Sequence, residues 1–139
     1  MRFRRFQGII VLLFAAVLGC SQGDSLDRAP MRGTVTLDGK PLDHGMVALL
    51  PMEGTKAPQG AGAIQKDGTY EIETAGKPGA VVGRHKVIVQ SREMLSPEEV
   101  RAMKVGRSLV PAQYSNYDTT PLTVDVPGEG TVFDIQMTR

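Results

Sequence analysis

The sequence predicts an all-β domain with one short inserted helix, and three observations point to it. From Met31 onward the chain falls into short runs rich in β-branched residues. Gly, Asp, Lys and Pro separate those runs, as they do in turns. Several runs alternate apolar and polar residues with a period of two, as a strand with one buried face does. A chain of 139 residues has room for one such domain and little more.

The first 20 residues have a different character. Arg2, Arg4 and Arg5 form a basic head, and the run from Ile9 to Leu18 follows without a polar side-chain atom. Gly19 and Cys20 close it. A basic start, a short apolar centre and a small residue at the end are the three parts of a secretory signal. A membrane-spanning helix needs roughly 20 apolar residues, which is more than this stretch offers. Val17-Leu18-Gly19-Cys20 resembles the lipobox of bacterial lipoproteins, with Leu18 larger than the residue usual before the glycine. The resemblance implies cleavage after residue 19 and a diacylglyceryl thioether on Cys20, with fatty chains such as palmitate holding the protein to a membrane. Cys20 is the only cysteine, so an exported chain of this sequence forms no intramolecular disulfide.

Loss of the leader takes the 16 basic residues to 13 against 15 acidic ones, a net charge near −2. A balanced surface of this kind holds neither nucleic acid nor anionic lipid by charge. Attachment therefore falls to the acyl chains, at about 0.8 kcal/mol for each buried methylene. The expected organisation is a leader over 1–19, a lipidated tether over 20–30 beginning with the small polar run Ser21 to Ser25, and a folded domain over 31–139.

The strands follow in order. Gly33 to Leu37 alternates, with Val35 and Leu37 on one face, and Asp38-Gly39-Lys40-Pro41 supplies a turn. Met46 to Leu50 is apolar on both faces, which suits a central strand. Gly60-Ala61-Gly62-Ala63-Ile64 reads as a thin strand where backbones come close. Lys66-Asp67-Gly68 signals another turn, and Thr69 to Glu73 places Tyr70 and Ile72 inward with Glu71 and Glu73 in water. After Gly76 to Gly79 comes Arg84 to Val89. The last two strands are Leu122 to Val126 and Thr131 to Met137, joined through Pro127 to Gly130.

Between them lies a helical signal. Ser96 caps, Pro97 occupies the first turn and Glu99 completes a capping box. The expected helix runs from Pro97 to Lys104, with Leu95 and Val100 as a hydrophobic staple and Gly106 as a stop. Met94, Leu95, Val100, Met103, Val105 and Leu109 are expected to form a satellite core over the sheet, any remainder being available to another protein.

Taken together, the series from Gly33 to Leu42, then Asp67-Gly68-Thr69-Tyr70, then Pro78-Gly79 before Lys86 to Val89, resembles the carboxypeptidase regulatory-like domains, in particular those of short planctomycete lipoproteins. Val110 to Tyr114 and Thr119 to Val124 match the segment before the final hairpin of that group. The resemblance covers Met31 to Met137 and implies a transthyretin-like Greek-key β-sandwich of about seven strands. In that family the domain is a non-catalytic module, so a structural or interaction role at the cell envelope is expected, with an envelope protein or polysaccharide as partner. Ser21 after the cysteine points to the outer membrane where a cell has two.

Candidate chemistry is sparse. His44 and His85 are the only histidines. Asp38, Asp43 and His44 lie near one turn, where a solvated surface is the simpler reading than a metal, and no cofactor or metal is expected. His85 is placed at the exposed end of its strand. Some transthyretin-like sandwiches are hydroxyisourate hydrolases that use His and Arg and end in Tyr-Arg-Gly-Ser. Arg84 and His85 are the residues that such a role would fall to, but this chain ends Gln136-Met137-Thr138-Arg139. For a carbohydrate or peptide binder the candidates are Tyr114 and Tyr117, the one place for an exposed aromatic pair. The preferred alternative packs Tyr114 over a sandwich corner, tying down the preceding loop.

Overall fold

A computed structural model describes residues 23–139, so Cys20 and the leader lie outside it. Among the described residues the structure is all-β apart from one helical turn and a short 3-10 segment. In order come β1 (Arg28–Ala29), β2 (Met31–Leu37), β3 (Lys40–Pro41), β4 (Met46–Pro51), β5 (Gly60–Ala63), β6 (Thr69–Glu71) and β7 (Glu73–Thr74). Then follow β8 (Lys77–Pro78), β9 (Ala80–Val81), β10 (Gly83–Gln90), helix α1 (Pro97–Arg101), β11 (Thr123–Val126), β12 (Thr131–Val132) and β13 (Ile135–Met137).

Two sheets make a sandwich. One has six strands in the order β11-β10-β4-β5-β7-β8, and the other centres on β2, flanked by β12 and β13 on one side and by β3 and β6 on the other. Alternation sets the inner faces. Val35 and Leu37 of β2, Val47 and Leu49 of β4, and Val87 and Val89 of β10 all point into the shared core. β4 is central as its composition predicts, with Ala48 buried on its other face. A two-stranded pairing of β1 with β9 starts the folded body at Arg28, three residues before Met31, and buries Ala29.

The two sheets are joined by a strand that changes partners. β6 pairs with β2, whereas β7, one residue later, pairs with β5. Ile72 is the pivot: its N–H donates to the Met31 carbonyl at 2.9 Å, and its own carbonyl accepts from Gly79 N–H at 2.8 Å. The crossing brings backbones close, which explains the glycines of β5. A Cβ at Gly62 would sit 2.2 Å from the Glu71 carbonyl oxygen. On the opposite strand a Cβ at Gly33 would sit 2.0 Å from the Phe133 carbonyl oxygen.

The C-terminal strands depart from the expected hairpin. β11 pairs with β10 in one sheet, whereas β12 and β13 run parallel to β2 in the other. The turn at Pro127 to Gly130 therefore carries the chain across the sandwich. A hairpin would leave β2 without a partner on that side, and would take Ile135 and Met137 from their buried places in the shared core.

The excursion from Ser91 to Val110 also differs. The capping box of Ser96 and Glu99 forms, but the helix ends at Arg101, and Met103 takes a positive φ of 54°. Gly106 is not the helix stop; it lies where the two legs of the excursion cross, with Glu93 O 2.3 Å from where its Cβ would be. Val100 is exposed, so no staple holds it, and Met94, Met103 and Val105 are 77%, 89% and 76% exposed instead of covering the sheet. The legs are joined by Glu93 N–H to Arg107 O and Leu109 N–H to Ser91 O, both at 2.9 Å. The excursion is thus a finger on a bonded stem.

Replacing Gly33 or Gly62 by Ala should destabilise the fold by about 2 kcal/mol or more, because the obstructing atoms are backbone. Gly128→Ala, with nothing within 4 Å, is the matched control that leaves urea unfolding unchanged.

Candidate functional site

Alternation on β2 and β6 turns Arg32, Thr34, Thr69 and Glu71 outward, in register as Arg32 opposite Glu71 and Thr34 opposite Thr69. Beside them the pairing of the last strand with β2 breaks at Phe133 and Asp134, with the register unchanged on either side. Phe133 O bends toward Gly33 and accepts the Tyr70 hydroxyl at 2.5 Å, while the Asp134 carboxylate accepts Thr34 N–H and Thr34 Oγ1, each at 2.9 Å. Gly33 has no side chain to block that bend. Burial first, and the charge of Asp134 second, push the Tyr70 hydroxyl well above its usual pKa, so it remains a donor.

The result is a groove of about 700 Å³ on the outer face, where Val132 and Asp134 form one wall and Ala61, Ala63, Gln65 and Glu73 form the other. A neighbouring recess of about 500 Å³ shares Arg32, Glu71 and Val132 and adds Glu129. The groove holds three carboxylates, Glu71, Glu73 and Asp134, against one guanidinium, Arg32. Among the described residues neither Arg32, Glu71 nor Glu73 makes an ion pair, although Arg32 and Glu71 face each other in register. Some carboxylates elsewhere are paired, as in Asp24 with Arg28 and Glu93 with Arg107, whereas others among the described residues, such as Glu53 and Glu98, are not. The first of these pairs holds the Asp24 carboxyl down at about 2.

The residues singled out by sequence lie away from this groove. His85 is not at an exposed strand end: β10 begins two residues earlier, at Gly83, and His85 points inward in phase with Val87 and Val89. It is 1% exposed, and its Nε2 faces Val81 O at 2.8 Å, so that nitrogen carries the proton and donates. Its neighbour Arg84 points to the opposite, exposed face, so the pair does not converge on a reacting group.

Tyr114 and Tyr117 also part company. Tyr114 sits in the 3-10 segment Ala112–Ser115, 7% exposed, in the core; its hydroxyl lies 3.4 Å from Thr138 N. Buried there, it does not form an exposed pair of rings with Tyr117. Tyr117 alone remains at the surface, with Lys86 Nζ 4.5 Å from its ring centroid and donating to its carbonyl at 2.7 Å.

His44 joins the loop before β4 to the stem of the finger. Its Nε2 lies 2.8 Å from Arg92 O and its Nδ1 2.5 Å from Asp43 Oδ1. Both contacts favour the protonated ring, Arg92 the more, and its pKa lies above the ordinary 6.5. Asp38 is instead engaged with Arg139. Among the described residues no three His, Cys, Asp or Glu side chains converge as metal ligands, and no helix is long and apolar enough to cross a membrane. No family model, curated protein or solved structure matches the chain.

The groove escaped sequence reading because its walls come from strands far apart in the chain. Only the alternating Glu71 and Glu73 hinted at it, and they read equally well as solubilising charges.

Tyr114→Ala should cost about 3 kcal/mol as a large core truncation, whereas Tyr117→Ala should leave the unfolding midpoint nearly unchanged. The contribution of His44 should be complete below its ordinary pKa and fade as pH rises through the raised one. The urea midpoints of the wild type and His44→Ala are therefore expected to differ more at pH 5.5 than at pH 8.5.

Proposed function

We propose that the chain is a lipid-anchored, non-catalytic interaction module of the bacterial cell envelope, of the carboxypeptidase regulatory-like kind. The anchor reading rests on the leader and on Val17-Leu18-Gly19-Cys20. Cleavage at that point leaves Cys20 at the new N-terminus, a few residues from the first pairing at Arg28. The tether is then short, and the sandwich sits near the membrane that holds its lipid.

One observation carries the interaction half of the proposal: the recessed surface of the domain holds charged side chains that the fold does not use, Arg32, Glu71 and Glu73. The groups with the greatest catalytic potential serve the architecture instead. His85 is sealed in the core and His44 is bonded at both nitrogens. A module of this design works by holding a partner at the envelope, not by turning over a substrate. An aromatic platform would lack its second ring, since Tyr114 is buried.

Anchoring is tested by expressing the full chain and its Cys20→Ala variant in a bacterial host fed a clickable palmitate analogue. The wild type is expected in the membrane fraction with label, and the variant unlabelled and released by mild washing. A variant that stays membrane-bound after carbonate extraction would overturn the lipid anchor.

A further inference from the structure

We propose that the groove over β2 and β6 binds an extended peptide segment of net positive charge. The inference rests on the interaction-module reading and names the class of partner. Shape comes first: Ala61 and Ala63 present only methyl groups on one wall, so a peptide backbone can lie close along it. Charge comes second, with Glu71 and Glu73 both exposed and both without an ion-pair partner among the described residues. They flank Ile72, where the strand changes sheets, and both line the groove. Lysines of a bound peptide therefore have two carboxylates without ion-pair partners to meet within the groove. Arg32, the single guanidinium, is placed to donate to ligand carbonyls, and Gln65 adds an amide.

Other occupants fit less well. The groove has no exposed aromatic ring, since the Tyr70 ring is buried, and glycan recognition draws heavily on such rings. Nucleic acid and anionic lipid are repelled by carboxylates in excess. A cationic peptide is attracted, and its binding weakens with salt.

The test uses the full chain purified in non-ionic detergent, with fluorescein-labelled Lys-Ala-Lys-Ala-Lys as probe and Glu-Ala-Glu-Ala-Glu as its counterpart, followed by anisotropy. The lysine peptide is expected to bind, the glutamate peptide not to, and Glu71→Gln combined with Glu73→Gln to weaken binding at least tenfold. Glu98→Gln, on α1, is expected to leave it unchanged. Ala63→Arg, which fills and recharges the wall, is expected to abolish it, and circular dichroism checks that each variant folds. Equal binding of both peptides, an unaffected double variant, or spermine competing as tightly as the peptide would overturn the proposal. Palmitate labelling of Cys20 reads the anchor separately, so failure of peptide binding leaves that half of the function to its own experiment.

Discussion

The sandwich depends on the passage of one strand from sheet to sheet. Between Thr69 and Thr74 the backbone first satisfies β2 and then β5, with Ile72 bonded to Met31 and to Gly79 at the turning point. Two layers joined this way have little freedom to slide, because a shift of one residue in β6 would send Tyr70 and Ile72 outward together. The crossing requires close backbone contact, and Gly62 provides it where any side chain would strike Glu71 O. Positional demands of this kind are stricter than those of the core, where apolar residues of similar volume exchange at modest cost.

The same crossing creates the outer groove. Because β6 pairs with β2 and only β7 with β5, Ala61 and Ala63 stand across a recess from Asp134 and Val132. The break in pairing of the last strand borders it and is fixed on both sides. Tyr70 holds the Phe133 carbonyl from within the core, and Thr34 holds the Asp134 carboxylate from the surface. Core and groove therefore meet at Tyr70, which belongs to the core and lines the groove beside Gly33.

Much of the architecture was legible in the sequence because it is written in local periods. The alternation at Val35 and Leu37, the Asp38-Gly39 turn with both residues at positive φ, the glycine spacing of β5 and the Ser96 capping box all appear where expected. What was not legible depends on partners distant in sequence. A turn at Pro127 to Gly130 looks the same whether it closes a hairpin or crosses the sandwich. His85 was traceable, since counting back by two from Val89 and Val87 reaches it, but its polarity and place near the start of the run suggested an exposed end. The apolar residues of the finger were read by composition, yet a five-residue helix offers no face long enough to press on the sheet. As for the groove, its charges were visible one by one and their convergence was not.

The finger has one more consequence, for how such proteins diverge. Its base is closed by bonds between Ser91 and Leu109 and between Glu93 and Arg107, so the sandwich does not register what happens beyond them. Doubling the length of the tip would raise the closure cost by only about 0.6 kcal/mol. Mutation and insertion can therefore accumulate between Met94 and Val105 at almost no expense to folding, which makes this stretch a natural reservoir of variation on an otherwise unyielding frame.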